Sequence, residues 1–267
     1  MGEKLMPFHT DGPKERILAF GGPGAGKTRA YLSIAELLQK TGSKATMYVI
    51  DTDYAVDYML QVGFPDLTNV EFTEVGDWHE YMSAVNDFQK KLKPGDWLVA
   101  DLLNYAWEAV QEHYSTEAYG KDLATHFLER KRAASKRSEE AWDGASDWTI
   151  IKPLYRQFVN RFFYRHRAHV FATAGVKPIA RSGKWADNNE VVATFGTIGF
   201  KPEGEKRTPH HPHTIIHLKR SKGGEFLMDT AKDRERPDMV DVGLGTEESP
   251  GSFAKSYLLG VAGWSLR

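Results

Sequence analysis

The chain has 267 residues, 41% of them hydrophobic, enough to bury a full core in one α/β domain rather than two independent ones. Its 35 lysines and arginines balance 36 aspartates and glutamates, which excludes a global field for nucleic acid or membrane and leaves only local patches. With no cysteine there are no disulfides, thiolate zinc sites or cysteine nucleophiles, and no run reaches the roughly 18 apolar residues of a membrane span. The polar stretch from Met1 to Lys14 lacks an apolar signal region, so the expectation is a soluble, cytoplasmic protein without a membrane partner.

In chain order, Ile17 to Phe20 read as a strand that enters a glycine-rich turn, and Tyr31, Ile34, Ala35, Leu37 and Leu38 then recur at helical spacing as far as Gly42. Met47 to Ile50 form a second strand ending at Asp51-Thr52-Asp53. Trp78, Tyr81, Met82, Val85 and Phe88 mark one face of an amphipathic helix, and a third strand, Trp97 to Ala100, stops at Asp101. Such alternation predicts a mostly parallel central sheet with helices on both faces. From about Tyr119 to Asp147 the pattern dissolves into charge, with Lys131-Arg132 and Lys136-Arg137 followed by Glu139-Glu140. Helical spacing resumes from Ile151 to Phe162, with Ser146 or Asp147 as cap and Pro153 in the first turn. His169 to Thr173 read as a fourth strand. Residues 177–212 are rich in glycine, proline and basic residues, with one strand candidate at Val191–Phe195. Two last strands, Thr214–Leu218 and Phe226–Met228, flank a hairpin turn over 219–224, and the segment after Arg236 follows no pattern. The expected organisation is a single domain over 1–267, with its core at about 15–233 and an irregular tail at about 237–267.

Gly21-Gly22-Pro23-Gly24-Ala25-Gly26-Lys27-Thr28 is a Gly-x-x-x-x-Gly-Lys-Thr loop at a strand-to-helix junction. In such a loop the backbone N–H groups and the helix N-terminus cradle phosphate oxygens that side chains would crowd. The reading assigns Gly21 to Arg29 to ATP, Lys27 to the β and γ phosphates, and Thr28 to Mg²⁺. Asp101, at a strand end, suits the Walker B role on the same metal. Leu102 follows it, so a water-activating carboxylate must come from elsewhere, and Asp53 is the best candidate. The competing reading has Asp51 and Asp53 merely capping the next helix.

Ile50-Asp51-Thr52-Asp53-Tyr54-Ala55-Val56-Asp57 resembles, position by position, the Ile-Asp-Ala-Glu-His-Ala-Leu-Asp that ends the second strand of RecA-like recombinase ATPases. The resemblance implies a RecA-like P-loop core, places Asp53 where that family keeps its catalytic Glu, and implies an ATPase. That family carries a Lys or Arg finger on a late strand reaching the neighbouring subunit's nucleotide. Lys219 and Arg220, with Lys222 third, are the candidates, against a plain solvated hairpin. It also ends its fourth strand in a polar sensor, for which Thr173 is the available residue. The overall build is similar to phage-encoded RecA-like single-strand annealing and recombination proteins. That implies a homo-oligomer, ring or filament, acting on single-stranded DNA, with Lys177, Arg181, Lys184, Trp185, Lys201, Lys206 and Arg207 as contact candidates. Rival readings are a helicase, loader or packaging motor and a nucleotide-gated binding module that barely hydrolyses ATP. His210, His211 and His213, interrupted by Pro209 and Pro212, read as a loop rather than a metal site.

Overall fold

The computed structural model describes residues 14–134, 146–183 and 186–265. Its centre is an eight-stranded sheet built from β1 (Arg16–Phe20), β2 (Met47–Asp51), β3 (Val70–Glu74), β4 (Trp97–Asp101), β5 (His169–Ala174), β8 (Thr214–Arg220), β9 (Phe226–Asp233) and β10 (Val242–Gly243). The order is β10-β9-β8-β1-β5-β4-β2-β3; every pairing from β8 to β3 is parallel, and β9 and β10 close one edge antiparallel. The chain is therefore α/β, with a large, mostly parallel sheet flanked by helices.

Parallel strands buried on both faces alternate their side chains between two cores. Ile17 and Ala19 of β1, with Trp97 and Val99 of β4, point to one face. There they meet α1 (Lys27–Lys40), α2 (Val56–Gly63) and a C-terminal π-helical turn, Ala254–Leu259. Leu18, Phe20, Leu98 and Ala100 point to the other. They meet α3 (Trp78–Lys91), α4 (Leu103–Tyr119) and α6 (Ser146–Val159), which continues as a π-helical turn to Tyr164. The segment read as irregular contributes Phe253, Ala254, Tyr257 and Leu258 to the first core, all buried, and supplies β10. No described helix is long and apolar enough to cross a membrane.

Several local expectations need correction. Val191–Phe195 is not a strand: Asn189–Phe195 is a helix, α7, because the Asn188 side chain caps it by accepting from the Val191 amide at 2.9 Å. A local cap has outweighed the strand preference of two valines. The charged stretch holds a real helix, α5 (Leu123–Ala134), while Lys136, Arg137, Glu139 and Glu140 lie outside the described residues. Lys219 and Arg220 belong to β8 and not to the hairpin turn, and β9 runs on to Asp233. Strand β3, its five residues only half-buried or exposed, carries too little apolar signal to be found in the sequence.

Candidate phosphate and metal site

Parallel strands deliver their C-terminal ends to one side of a sheet, where open α/β sheets bind ligands. Here that side collects the loop after β1, Asp51 to Asp53 after β2, Asp101 at the tip of β4, and Thr173 near the tip of β5, which lies between β1 and β4. Asp51 and Asp101 are direct partners across the β2–β4 pair.

The loop has the geometry its glycines dictate. Gly26 sits at φ 87° as the residue before α1, a left-handed conformation costly for any other residue, and no side chain caps the helix. The first-turn amides of α1 are consequently open to an external anion. At Gly21 a Cβ would lie 2.4 Å from the Leu218 carbonyl oxygen, so the loop can lie against β8 only with glycine there. At Gly22 and Gly24, by contrast, a Cβ would meet nothing within 4 Å. Pro23 and Ala25 complete the turn, where the Ala25 amide donates to the Gly22 carbonyl at 3.2 Å. Arg29 points away from the loop, its guanidinium 5.1 Å over the Phe64 ring.

Lys27 folds back onto the loop, donating to the Gly21 and Gly22 carbonyls at 3.0 and 3.1 Å. Burial lowers its pKa, and the charges of Asp101, Asp53 and Glu203 oppose the fall. The ammonium is thus held by two backbone carbonyls within the field of three carboxylates.

Asp101 is fully buried and held by hydroxyls. Thr28 Oγ1 and Tyr31 OH each donate to its Oδ2 at 2.9 Å, and Thr173 Oγ1 donates to Oδ1. Burial still raises its pKa despite these donors. Thr52 fixes the following Asp101–Leu102 peptide, which is cis: Thr52 Oγ1 donates to the Asp101 carbonyl at 2.9 Å and accepts from the Leu102 amide at 2.6 Å.

The two aspartates after β2 separate in role. Asp51 is buried and caps α2, accepting from the Val56 amide at 3.0 Å, while its Oδ1 receives no donor. Asp53 caps nothing and lies at the rim. Its pKa is pushed up to about 7, first by loss of hydration, then by the charge of Asp101 and by Asp51, with Lys27 opposing. Asp101 and Asp51 both raise the pKa of Asp53 and Lys27 opposes them, so negative charge gathers on this side of the sheet. The Thr28 hydroxyl beside the buried Asp101 carboxylate is an all-oxygen pair, which fits Mg²⁺ held through Thr28 and Asp101.

Four participants escaped the sequence. Tyr31 reads as a core position, although a buried phenol always needs a partner. Thr52 is masked by the aspartates on either side. Asn104 Oδ1 accepts from the Gly175 amide at 3.2 Å, and Glu203, whose own amide donates to the Gly175 carbonyl at 3.0 Å, brings its charge toward Lys27. Neither of these two has a local signature.

The basic candidates scatter. Lys219 is bound in its own chain by Asp229 at 2.5 Å and Asp241 at 2.6 Å; Arg220 pairs with Glu247 at 2.8 Å; Lys222 carries no ion pair among the described residues. A cavity of about 660 Å³ is shared by this edge and the loop, lined by Gly22, Pro23, Phe200, His217, Lys219 and Met239 among others. Beyond β5 the chain makes a two-stranded antiparallel ribbon, β6 (Val176–Pro178) with β7 (Phe200–Pro202), in which Lys177 and Lys201 are direct partners. Lys201 is neutralised by Asp187 and Arg181 donates to the Gly196 carbonyl, whereas Lys177, Lys206 and Arg207 are exposed and carry no ion pair among the described residues. Lys184 and Trp185 lie outside the described residues. His210, His211 and His213 take separate partners: Glu190, the Tyr164 hydroxyl and the Arg16 amide. No protein-family model matches this chain, and no curated protein does.

Proposed function

We propose that this protein binds ATP with Mg²⁺ in the Gly21–Thr28 loop and hydrolyses it, as a RecA-like ATPase acting on single-stranded DNA in recombination, annealing or repair. The observation that carries the reading is the Thr28–Asp101 hydrogen bond at 2.9 Å, which joins the end of the glycine loop to the tip of β4, so that these two residues would hold the metal together. In this reading Mg²⁺ supplies charge neutralisation at the phosphates. Lys27 leaves the Gly21 and Gly22 carbonyls for phosphate oxygens, and the first-turn amides of α1 bind the rest of the anion. Asp53, at about 7, suits a general base, which works best with a pKa near the operating pH. Gly175 links the two halves of the proposal, because Asn104 and Glu203 both bond to it and the chain leaves it directly into the β6–β7 ribbon. Lys177, Lys206 and Arg207 on and beyond that ribbon are the cations available to a DNA backbone.

The test is ATP turnover with and without single-stranded DNA. The proposal expects turnover that DNA stimulates, abolished in Lys27→Ala, and lost in Asp53→Asn with nucleotide binding retained. One observation favours a nucleotide-gated module instead: Lys219, the leading finger candidate, is already held by Asp229 and Asp241. Tight ATP binding with no turnover on DNA selects that alternative.

A further inference from the structure

Away from the phosphate site, His79 near the start of α3 and His113 and Glu117 one turn apart on α4 bring their ligand atoms to within 4.8 Å of one another. The His79 and His113 rings meet edge to face with centroids 4.8 Å apart, and Trp78 stacks on His113 from the core side. None of the three side chains makes a hydrogen bond or ion pair within the described residues, and this is the one such group of metal-ligating side chains among them. Spacing of i, i+4 on α4 puts His113 and Glu117 on one face, and helix packing fixes the third donor opposite. We infer that His79, His113 and Glu117 form a binding site for a borderline divalent cation of the zinc class, pinning α3 to α4.

Two imidazoles and one carboxylate, with His79 and Glu117 open to solvent, give three protein ligands and room for water. Imidazole donors select against Mg²⁺ and Ca²⁺, which prefer all-oxygen sets, so this site and the phosphate site would take different metals. Asp77, which caps α3 through the Glu80 amide at 2.9 Å, adds negative charge near His113. The placement has a consequence for the molecule. A second cavity of about 580 Å³ lies between the start of α3 and α4, lined by Thr52, Tyr54, Gly76, Tyr81, Glu108 and Glu112 among others. His113 follows Glu112 directly, so an ion there would fasten one wall of a cleft that Thr52 and Tyr54 also line.

The probe is Co²⁺ titrated into the full chain in excess Mg²⁺, which occupies the oxygen-only site and leaves the imidazole site to cobalt. Expected are one visible d–d band saturating at one ion per chain, its displacement by Zn²⁺, and a rise in Tm of roughly 5–10 °C with Zn²⁺ at 100 times its Kd. His79→Ala, at an exposed position, and Glu117→Gln should each weaken cobalt binding by more than about tenfold while leaving the apo Tm within a degree or two. His113→Ala should abolish the band, and the two exposed variants keep the test valid if loss of the Trp78 stack disturbs folding. Absence of a band in the parent chain, or a band and affinity unchanged in His79→Ala and Glu117→Gln, overturns the inference.

Discussion

The loop between β1 and α1 and the basic edge formed by β8 carry the same type of residue, a lysine beside carboxylates, with opposite outcomes. Lys27 rests on two backbone carbonyls, within the field of Asp101, Asp53 and Glu203, and its pKa is lowered. Lys219 is clamped between Asp229 and Asp241, and its pKa is raised. The first ammonium is held by neutral acceptors that an anion can displace; the second is held by ions that an anion must outcompete. A cation is available for ligand chemistry when the fold satisfies its hydrogen bonds without neutralising its charge.

The largest effect that can break this comparison is at Lys27. Lys27→Ala should cut ATP affinity and turnover by about 100-fold or more, since it removes the charge proposed to meet the phosphates; an equal loss in Lys219→Met would erase the distinction. Next, Asp53→Asn should lower turnover by about 100-fold with nucleotide affinity nearly unchanged, measured as a kcat effect at constant binding. Glu203→Gln, which removes only a distant field on Lys27, should cost less than about tenfold; a larger loss would favour Glu203 over Asp53 for the proposed water-activating role. Gly21→Ala should destabilise the fold by about 1–3 kcal/mol in urea unfolding, because its methyl group would strike the Leu218 carbonyl.

The smallest effect is a pH slope. Asp53 is raised from 3.8 to about 7, so between those values the folded chain keeps a proton the unfolded chain has released. Stability contributed there falls as pH rises from about 4 to about 7 and levels off above. His166, His169 and His211, lowered by burial from 6.5 to about 4, act oppositely over about pH 4 to 6.5, so the readout is the difference between parent and Asp53→Asn. The variant should show the steeper rise in stability with pH; identical profiles would mean that Asp53 titrates normally.

What could be read from the chain and what could not follow the same divide. The glycine loop, Thr28 and the strand-end Asp101 are legible because backbone geometry demands glycine at fixed offsets and because buried parallel strands announce themselves as apolar runs. Asp51 and Asp53 are legible as a pair but not in their division of labour, which depends on the Val56 amide choosing Asp51. Tyr31, Asn104 and Glu203 reach the site only through tertiary packing across β4 and β5, over sequence separations that leave no local trace. The α7 helix shows the converse failure, in which Asn188 decided a segment whose valines pointed to strand.

The most direct test of the account is an equilibrium titration of the full chain with ATP, with and without Mg²⁺, alongside Lys27→Ala and Asp101→Asn. Expected are saturable binding strengthened by Mg²⁺ in the parent chain, no measurable binding in Lys27→Ala, and binding that Mg²⁺ no longer strengthens in Asp101→Asn. Folded parent protein that fails to bind Mg²⁺-ATP, or variants that bind it as the parent does, would contradict it.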